Sequence, residues 1–458
     1  MVKGTDSYQK KNLVLEKLNY QQQKNSYVNP TLTKNKNKYI SPFLIIIVSF
    51  LYIQGCAGFR SIITPKTNNV VPGIEVLEND NFSLLRGKRV GLVTNATGVN
   101  RKLVSTVDIF FKDERVNLVA LFGPEHGVRG TETAGKKIEF HTDPKTGLTV
   151  YSLYGKDRKP TSAMLNNIDI LVYDIQDVGC RSYTFVSTMG LCMEACGENG
   201  TEFMVLDRPN PLGGYRIEGS IVESKYISFV SQFPIPYVYG LTPGELARFL
   251  NEERLLSNGI QCNLTIVPMK NWKRYMTFEM TGLEWVPTSP HIPHKFSPFY
   301  YVSSGVMGEL GIISEGVGYT APFQFMGAPW VNQDTLATEL NKIGMDGVRF
   351  RPAVYKPYYG RDAGNTIHGV QIHIMKPQKL NLLLLQFYYL ETLIRLYPDN
   401  NPFEMADEAR LDMFDKVMGS GKVREVFSKS WSAEDVDEYF LRDQKTFRKK
   451  SKLYYIYH

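Results

Sequence analysis

The sequence predicts an α/β protein: a Rossmann-like parallel sheet domain followed by a smaller α+β C-terminal domain. Three observations support this prediction. Short, nearly continuous apolar segments alternate with helical segments from residue 72 onward, which is typical of parallel strands buried on both faces. Polar clusters follow four of these segments directly. A region rich in proline, aromatic residues and glycine, residues 286–327, then precedes a second set of elements.

The first domain, residues 72–285, is predicted from the order of its elements. Its four apolar segments have the length of strands and are rich in Val, Leu, Ile and Phe. The strands are predicted over 89–95, 116–122, 168–174 and 202–207, and the helices over 102–113, 160–167 and 184–199. This domain is expected to be the catalytic one.

The second domain, residues 286–458, is predicted to be the smaller one and to complete a cleft with the first. Its helices are predicted over 333–344 and 379–396, and a strand over 369–374. From about residue 403 the chain has the pattern of amphipathic helices.

Residues 1–56 have the composition of a bacterial lipoprotein signal. Lys34, Lys36 and Lys38 precede the apolar run 43–53, and Cys56 directly follows a glycine. A positive region, a short apolar core and a small residue are typical of a secretory signal, and the cysteine resembles the lipidated cysteine of a lipobox. We therefore expect an exported protein, anchored through Cys56 on the periplasmic side of a bacterial membrane and followed by a tether over 57–71. An uncleaved anchor is the alternative.

The net charge of +7 does not indicate nucleic-acid binding, because it belongs to the leader. Residues 1–40 contain eight lysines against Asp6 and Glu16, so they carry +6 of that charge. A nucleic-acid surface requires a basic face on the folded domain. The sequence carries no indication of oligomeric state.

No cofactor is predicted. The first strand is not followed by a glycine-rich dinucleotide fingerprint, and no phosphate-binding loop or Gly-x-Ser-x-Gly nucleophile elbow is present. No metal site is predicted either, because the cysteines outside the leader lack the spacing of zinc ligands. We expect these four to be buried free thiols: Cys180, Cys192, Cys196 and Cys262.

Polar residues that resemble ligand-binding groups follow all four predicted strands. In parallel α/β sheets, ligands bind outside the carboxyl ends of the strands. The polar segments that follow the strands are Thr94–Gly98, Gly123–Gly127, Asp174–Arg181 and Asp207–Pro211. Their convergence on one edge predicts the active site there.

Glu125, in a stiff Pro-Glu-His-Gly loop, is the proposed general acid, because an apolar wall can raise the pKa of a carboxyl group. His126 would orient the substrate or tune Glu125. The alternative for Glu125 is a structural salt bridge, and the alternative for Asp177 is helix capping. Substrate binding is predicted for a further set of side chains from these segments: Asn95, Arg181, Tyr183, Asp207, Arg208 and Asn210. Asp207 and Arg208 could instead form an internal ion pair.

Together these motifs resemble the exo-β-N-acetylmuramidase family of bacterial cell-wall glycosidases, long described as a domain of unknown function. The resemblance covers roughly residues 72–458 and rests on segments 91–98, 121–127, 173–183, 206–214, 239–245 and 285–287. It implies removal of terminal N-acetylmuramic acid from the non-reducing ends of peptidoglycan fragments. It also implies that Glu125, beside His126, is the acidic site residue.

One segment departs from the family pattern. Many members carry Glu-Gly-Thr-Asn-x-Ser-x-Gly-Arg-Gly-Thr where this chain has residues 309–319. Glu309 and Ser314 are kept, and we include both in the predicted site, but the Thr-Asn pair and the arginine are missing. Arg181 or Arg208 could replace that arginine in holding the lactyl carboxylate of the substrate.

The resulting hypothesis is glycoside hydrolysis with Glu125 as acid and Asp177 or Glu309 as base, nucleophile or stabiliser. The 2-acetamido group of the sugar is a further candidate for the nucleophile. Two rival functions remain: a metal-dependent hydrolase that uses His126, Asp174, Asp177 and Asp207, and a non-catalytic lipoprotein that binds muramyl sugars.

Overall fold

The structure, a computed structural model, describes residues 69–130 and 140–458. The predicted signal, Cys56 and most of the predicted tether lie outside these residues. The last residues of the tether are described: Val70 is buried, and Val71 pairs with Lys270. These last residues therefore belong to the fold rather than to a free linker.

Seven strands form the larger sheet. They are β1 (Arg89–Thr94), β2 (Asn117–Gly123), β3 (Phe140–Thr142), β4 (Thr149–Ser152), β5 (Ile170–Asp174), β6 (Glu202–Leu206) and β7 (Leu264–Val267). Their order is β3-β4-β2-β1-β5-β6-β7. Every neighbouring pair is parallel except β3 and β4. The predicted Rossmann-like sheet is therefore confirmed.

Helices cover both faces of this sheet. They are α1 (Gly73–Asn79), α2 (Thr106–Lys112), α3 (Ser162–Leu165), α4 (Phe185–Asn199) and α5 (Pro243–Glu252). Leu92 shares one apolar core with Phe110 of α2, whereas Val93 shares the opposite core with Met189 of α4. Because successive strand residues point to opposite faces, both faces need apolar side chains. The burial of both faces of the sheet therefore explains the continuous apolar runs in the sequence.

The sequence predicted four strands of this sheet and missed three. β3 and β4 lie at one edge and β7 at the other, and each has only three or four residues. Such short strands leave little apolar pattern to detect. The helix predicted from residue 102 begins instead at Thr106, because the Ser105 side chain accepts the N–H of Asp108 and caps it.

A second, antiparallel sheet lies in the C-terminal part of the chain. It consists of β8 (Phe325–Ala328), β9 (Val348–Tyr355) and β10 (Ile367–Ile374), in the order β8-β10-β9. Around it are α6 (Ser297–Gly308), α7 (Gln333–Lys342), α8 (Leu382–Leu396), α9 (Pro402–Met405), α10 (Glu408–Met418), α11 (Gly421–Ser430) and α12 (Ala433–Ser451). This confirms the smaller α+β domain. Sequence reasoning missed β9, in which buried residues alternate with exposed ones.

The last helix links the two cores. Phe440 of α12 packs into the core of the smaller domain, whereas Phe447 packs with α4 and α5 against the larger sheet. The residues after α12 continue onto the sheet domain, where the Tyr457 hydroxyl donates to Asp207 at 2.6 Å and accepts the Met269 N–H at 2.8 Å. The C-terminal segment therefore stabilises the domain that begins the fold.

All four cysteines within the described residues are free and buried, as predicted. No helix within residues 69–130 and 140–458 is both long enough and apolar enough to cross a membrane.

We expect Tyr457→Phe to lower the free energy of unfolding by about 2–3 kcal/mol, because it leaves the buried Met269 N–H and an Asp207 oxygen without this partner. Urea unfolding followed by circular dichroism measures the change. Tyr358→Phe is the matched control: Tyr358 is 78% exposed, so its loss of a hydroxyl should change stability by less than about 0.5 kcal/mol. Equal stabilities of the two variants would contradict this role of Tyr457.

Candidate active site

The strand order brings the predicted polar segments together at one edge. Strands β2, β1, β5 and β6 are consecutive neighbours in the sheet and run parallel. Their carboxyl ends therefore present Glu125, Asn95, Asp177 and Asp207 along the same side. This juxtaposition follows from the strand order and not from closeness in sequence.

Glu125 lies in the loop that follows β2, and its side chain is half-buried. The residues after it, His126 and Gly127, have φ angles of 72° and 71°. Two successive left-handed residues turn the chain sharply, and this turn fixes Glu125 at the sheet edge. The Thr184 hydroxyl donates to Oε2 of Glu125 at 3.2 Å. The Tyr154 hydroxyl also hydrogen-bonds to this carboxylate; burial, together with Glu125, raises the pKa of Tyr154 to about 12.

Tyr183 connects Glu125 to the second domain. It lies just before α4, next to Thr184, and its hydroxyl hydrogen-bonds to that of Thr288 at 2.7 Å. Its ring packs edge-on against Tyr301 of α6, with ring centres 5.7 Å apart. Burial is the main cause of a raised pKa for Tyr183, and the charges of Asp177 and Glu125 add to it. Tyr183 therefore lies within the field of both carboxylates.

Asp177 is 2% exposed. Its Oδ2 accepts hydrogen bonds from the Tyr239 hydroxyl at 2.6 Å and the Gly179 N–H at 2.7 Å. Its Oδ1 is buried and has no hydrogen-bond partner among the described residues. Burial raises the pKa of Asp177 to about 6, although both hydrogen bonds oppose this shift. The helix-capping alternative is not observed, because α4 begins at Phe185 and has no side-chain cap.

His126 faces a second histidine from the loop before α6. Burial lowers the pKa of His291, and the neighbouring His126 lowers it further. The His291 ring stacks on Tyr359, with ring centres 5.9 Å apart and planes inclined by 18°. This arrangement favours the neutral form of the His291 imidazole.

Glu309, directly after α6 in the smaller domain, is half-buried. Burial raises its pKa, and the nearby Glu315 raises it further. The charge of Glu309 in turn raises the pKa of Tyr301, after burial as the main cause. Because Tyr301 packs on Tyr183, a cluster of tyrosines lies between Glu309 and the sheet edge.

Comparison with known families decides the assignment. Residues 90–295 match the N-terminal domain model of exo-β-N-acetylmuramidase NamZ, and residues 299–457 match its C-terminal domain model. The chain belongs to the NamZ family. The resemblance inferred from the motifs is therefore confirmed.

Individual relatives agree with this assignment. The chain is 44% identical over 394 residues to the peptidoglycan β-N-acetylmuramidase NamZ of Bacillus subtilis (strain 168), with 86% of this chain and 93% of that protein covered. A DUF1343 family crystal structure from Bacteroides fragilis NCTC 9343 at 1.65 Å has a TM-score of 0.82 and 54% identity, covering 86% of this chain and 100% of that one. A second from the same strain, at 1.30 Å, has a TM-score of 0.69 and 30% identity, with 85% and 99% covered.

Arg181 is not placed to bind substrate in this NamZ-family fold. It is 1% exposed, and its five N–H groups donate to protein atoms: the Ser231 hydroxyl and the backbone carbonyls of Ser220, Ile235, Val417 and Met418. An arginine has five N–H donors, so none remains for a ligand. The observed contacts of Arg181 therefore do not support the predicted substrate role, because its donors join α10 to the sheet domain.

Asp207 and Arg208 have different side-chain partners in the structure. The Arg208 guanidinium forms its ion pair with Asp174, through Nε at 2.5 Å and a terminal nitrogen at 2.9 Å. Asp207 is fully buried and accepts from Thr242, Gly244 and Tyr457. It therefore holds the start of α5 and the C-terminus, and the alternative of an ion pair between the Asp207 and Arg208 side chains is not observed.

Three further predicted residues use their polar groups within the protein. Asn95 accepts from the N–H and hydroxyl of Thr97 at 2.9 and 2.6 Å. Asn210 donates to the Leu241 carbonyl and accepts the Leu212 N–H. Ser314 exchanges backbone hydrogen bonds with Gly327 in the smaller domain, and its buried hydroxyl has no hydrogen-bond partner among the described residues. The side-chain contacts of Asn95 and Asn210 hold the loops that carry these residues, and none of them indicates a substrate role.

Three residues near Glu125 and His126 were not predicted from the sequence. Tyr154 and Arg158 lie in the loop after β4, and His291 lies in the loop before α6. Tyr154 follows β4, a short strand that the apolar pattern did not reveal, although the carboxyl end of β4 lies beside that of β2. The alternation of polar and apolar residues over Thr149–Ser152 is the signal that could have indicated a fifth strand, with Tyr154 at its carboxyl end. His291 gives no signal, because its approach to His126 depends on packing of the two domains.

No group of three or more His, Cys, Asp or Glu side chains within the described ranges is placed to hold a metal ion. Two cavities of about 640 and 560 Å³ lie among other residues and share Glu279, Phe299, Pro377 and Gln378 in their walls. Neither is lined by Glu125. The predicted acid therefore lies at the sheet edge, outside the walls of both cavities.

We expect Asp177→Asn to remove part of the pH dependence of stability. Because burial raises the pKa of Asp177 to about 6, the folded state retains a proton that the unfolded state, with an ordinary pKa near 3.9, has lost. Wild-type stability should thus fall by roughly 2 kcal/mol as pH rises from 4 to 7, and the variant should lack this fall. Urea unfolding at several pH values measures it.

The matched control for this measurement is Asp399→Asn, which changes an exposed carboxyl group and should keep the wild-type pH profile. Identical profiles of wild type and Asp177→Asn would contradict the buried, proton-holding state of Asp177.

Proposed function

We propose that this protein is an exo-acting glycoside hydrolase that releases N-acetylmuramic acid from the non-reducing ends of peptidoglycan fragments. One observation carries the proposal: a half-buried Glu125 at the sheet edge, held by two hydroxyl donors, in a chain that is 44% identical to a peptidoglycan β-N-acetylmuramidase. Family membership gives the reaction class, and the geometry gives the proposed acid.

Glu125 would act as the general acid. In the protonated form it would transfer its proton to the glycosidic oxygen while the bond from that oxygen to C1 breaks. Water supplies the hydroxyl group that C1 finally carries. The contacts from Thr184 and Tyr154 hold the carboxyl group in one orientation, which favours proton transfer at a fixed position.

Glu309 is the favoured second carboxylate. It is half-buried and keeps part of its surface exposed, whereas Asp177 is 2% exposed with its Oδ2 held by two donors. The raised pKa of Glu309, caused by burial and Glu315, makes its ionised form a stronger base. The 2-acetamido group of the sugar remains the alternative nucleophile, and the anomeric configuration of the first product distinguishes retention from inversion.

We further propose that the protein is exported and anchored by a lipid on Cys56, on the periplasmic side of a bacterial membrane. Support comes from the sequence alone: the basic segment, the apolar run 43–53 and the cysteine after a glycine. Mass spectrometry of the protein purified from membranes should find a lipidated N-terminal Cys56. Recovery of an unmodified Cys56 would contradict the anchor.

We expect Glu125→Gln to lower kcat by about 100- to 10,000-fold, because the amide cannot donate the proton. The assay is release of N-acetylmuramic acid from a muramyl-glucosamine disaccharide, followed by chromatography. Glu252→Gln, at an exposed position in α5, is the matched control and should retain full activity. A melting temperature near the wild-type value shows that the fold is intact.

Substantial turnover by Glu125→Gln would overturn the assignment of the acid. Loss of activity of the wild type in a chelator would instead favour the rival metal-dependent hydrolase. Binding of the disaccharide by the wild type without turnover would favour a non-catalytic muramyl-sugar-binding protein.

We expect Glu309→Gln to lower kcat by at least about 100-fold and Asp177→Asn by less than about 10-fold, because only the first removes an accessible carboxylate. Both are measured on the same disaccharide. The reverse order would assign the second role to Asp177. Unchanged activity of both variants would favour the acetamido group as nucleophile.

A further inference from the structure

We propose that Arg158 binds the lactyl carboxylate of N-acetylmuramic acid and so selects this sugar over N-acetylglucosamine. The inference rests on the proposed function and names a recognition residue for it. N-acetylmuramic acid differs from N-acetylglucosamine by an ether-linked lactic acid on O3, which carries a negative charge. A site that distinguishes the two sugars by charge needs a cation close to the acid that cleaves the bond.

Arg158 lies next to the groups that hold Glu125. Its guanidinium carbon stands 4.3 Å from the ring centre of Phe229. The same ring packs against Tyr154, with ring centres 6.3 Å apart, and the Tyr154 hydroxyl bonds to Glu125. Arg158 is thus connected to Glu125 through the rings of Phe229 and Tyr154, and the Tyr154 hydroxyl feels both charges: Glu125 raises its pKa and Arg158 lowers it.

The guanidinium is held in place without being neutralised. Stacking over an aromatic face orients an arginine and leaves its N–H edge available. Arg158 is exposed, and no carboxylate among residues 69–130 and 140–458 forms an ion pair with it. An unpaired guanidinium of fixed orientation is suited to bidentate binding of a carboxylate.

Other arginines near the cleft are already committed. Arg129 makes two hydrogen bonds to Asp143, both at 3.0 Å, and Arg361 pairs with Glu315 at 2.9 Å. Arg181 and Arg208 are buried and bound as described above. The sequence suggested that Arg181 or Arg208 binds the carboxylate. With both arginines bound internally, we assign this role to Arg158 instead.

The loop that carries Arg158 supports a binding role. It follows β4 and leads to α3, and its neighbour Lys159 is fixed by Glu198 at 2.8 Å. Pro160 is buried and Thr161 caps α3. The loop is therefore anchored just after Arg158, which limits the conformational entropy lost when a ligand binds.

The test compares three substrates: 4-nitrophenyl β-N-acetylmuramide, the same compound with its lactyl group converted to a methyl amide, and 4-nitrophenyl β-N-acetylglucosaminide. Wild type should prefer the acid over the amide by about 10- to 100-fold in kcat/KM, as expected for a charge-assisted hydrogen-bonded pair. Arg158→Met, which keeps apolar contact with Phe229, should lose this preference mainly through a higher KM for the acid. Arg158→Lys should retain part of it.

Arg248→Met is the matched control, since Arg248 is exposed and pairs with Glu252 on α5; it should keep the wild-type preference. An equal loss on acid and amide in Arg158→Met, or an unchanged preference, would overturn the proposal.

Failure of the proposed function is distinguishable from failure of this inference. If wild type cleaves none of the three substrates, the hydrolase assignment fails, and binding then tests Arg158. Calorimetric titration of wild type and Arg158→Met with free N-acetylmuramic acid and N-acetylglucosamine should show a preference for the acid sugar in the wild type alone. Equal affinities of the wild type for both sugars would overturn the carboxylate site.

Discussion

The buried guanidinium of Arg181 fixes the arrangement on which the site depends. Burial lowers the pKa of Arg181 to about 10, and a buried charge is tolerated only when its donors are satisfied. Its N–H groups bind carbonyls from two loops of the sheet domain and from the end of α10. Because Tyr183 and Thr184 follow within three residues, this network fixes both the hydroxyl that holds Glu125 and the tyrosine that contacts the smaller domain.

Around this point, the sheet edge divides into a rigid frame and a small accessible centre. The frame consists of buried residues whose polar atoms bind other protein groups: Asp174, Arg208, Asp207 and Asn210. Arg208 binds Asp174, Asp207 accepts an N–H at the start of α5, and Asn210 donates to a loop carbonyl. Glu125 is half-buried and bound only by hydroxyl groups in the contacts described. A buried polar frame of this kind keeps reacting groups in position at low entropic cost. Many polar residues at a strand end therefore support the site without touching the substrate.

Much of the fold could be predicted because its causes are local. The strands β1, β2, β5 and β6 are buried on both faces, so their apolar runs appear directly in the sequence. Strand β9 has one exposed face, β3 and β7 are short edge strands, and β4 has only four residues, so the patterns of these strands are weak. The failure to predict β4 affected the site most, since Tyr154 and Arg158 follow this strand. The polar partners of Arg181 lie up to 237 positions away, and no sequence spacing indicates them.

By itself the sequence determined the fold class, the family and the edge of the sheet at which Glu125 lies. These follow from strand periodicity and from motifs of consecutive residues, which short-range chemistry dictates. Only the tertiary structure decided which polar residues are consumed internally, which second carboxylate is accessible, and that Arg158 rather than Arg181 or Arg208 is an unpaired cation near Glu125. The physical reason is that a polar group's availability depends on partners that packing supplies, and these come from elements remote in the chain.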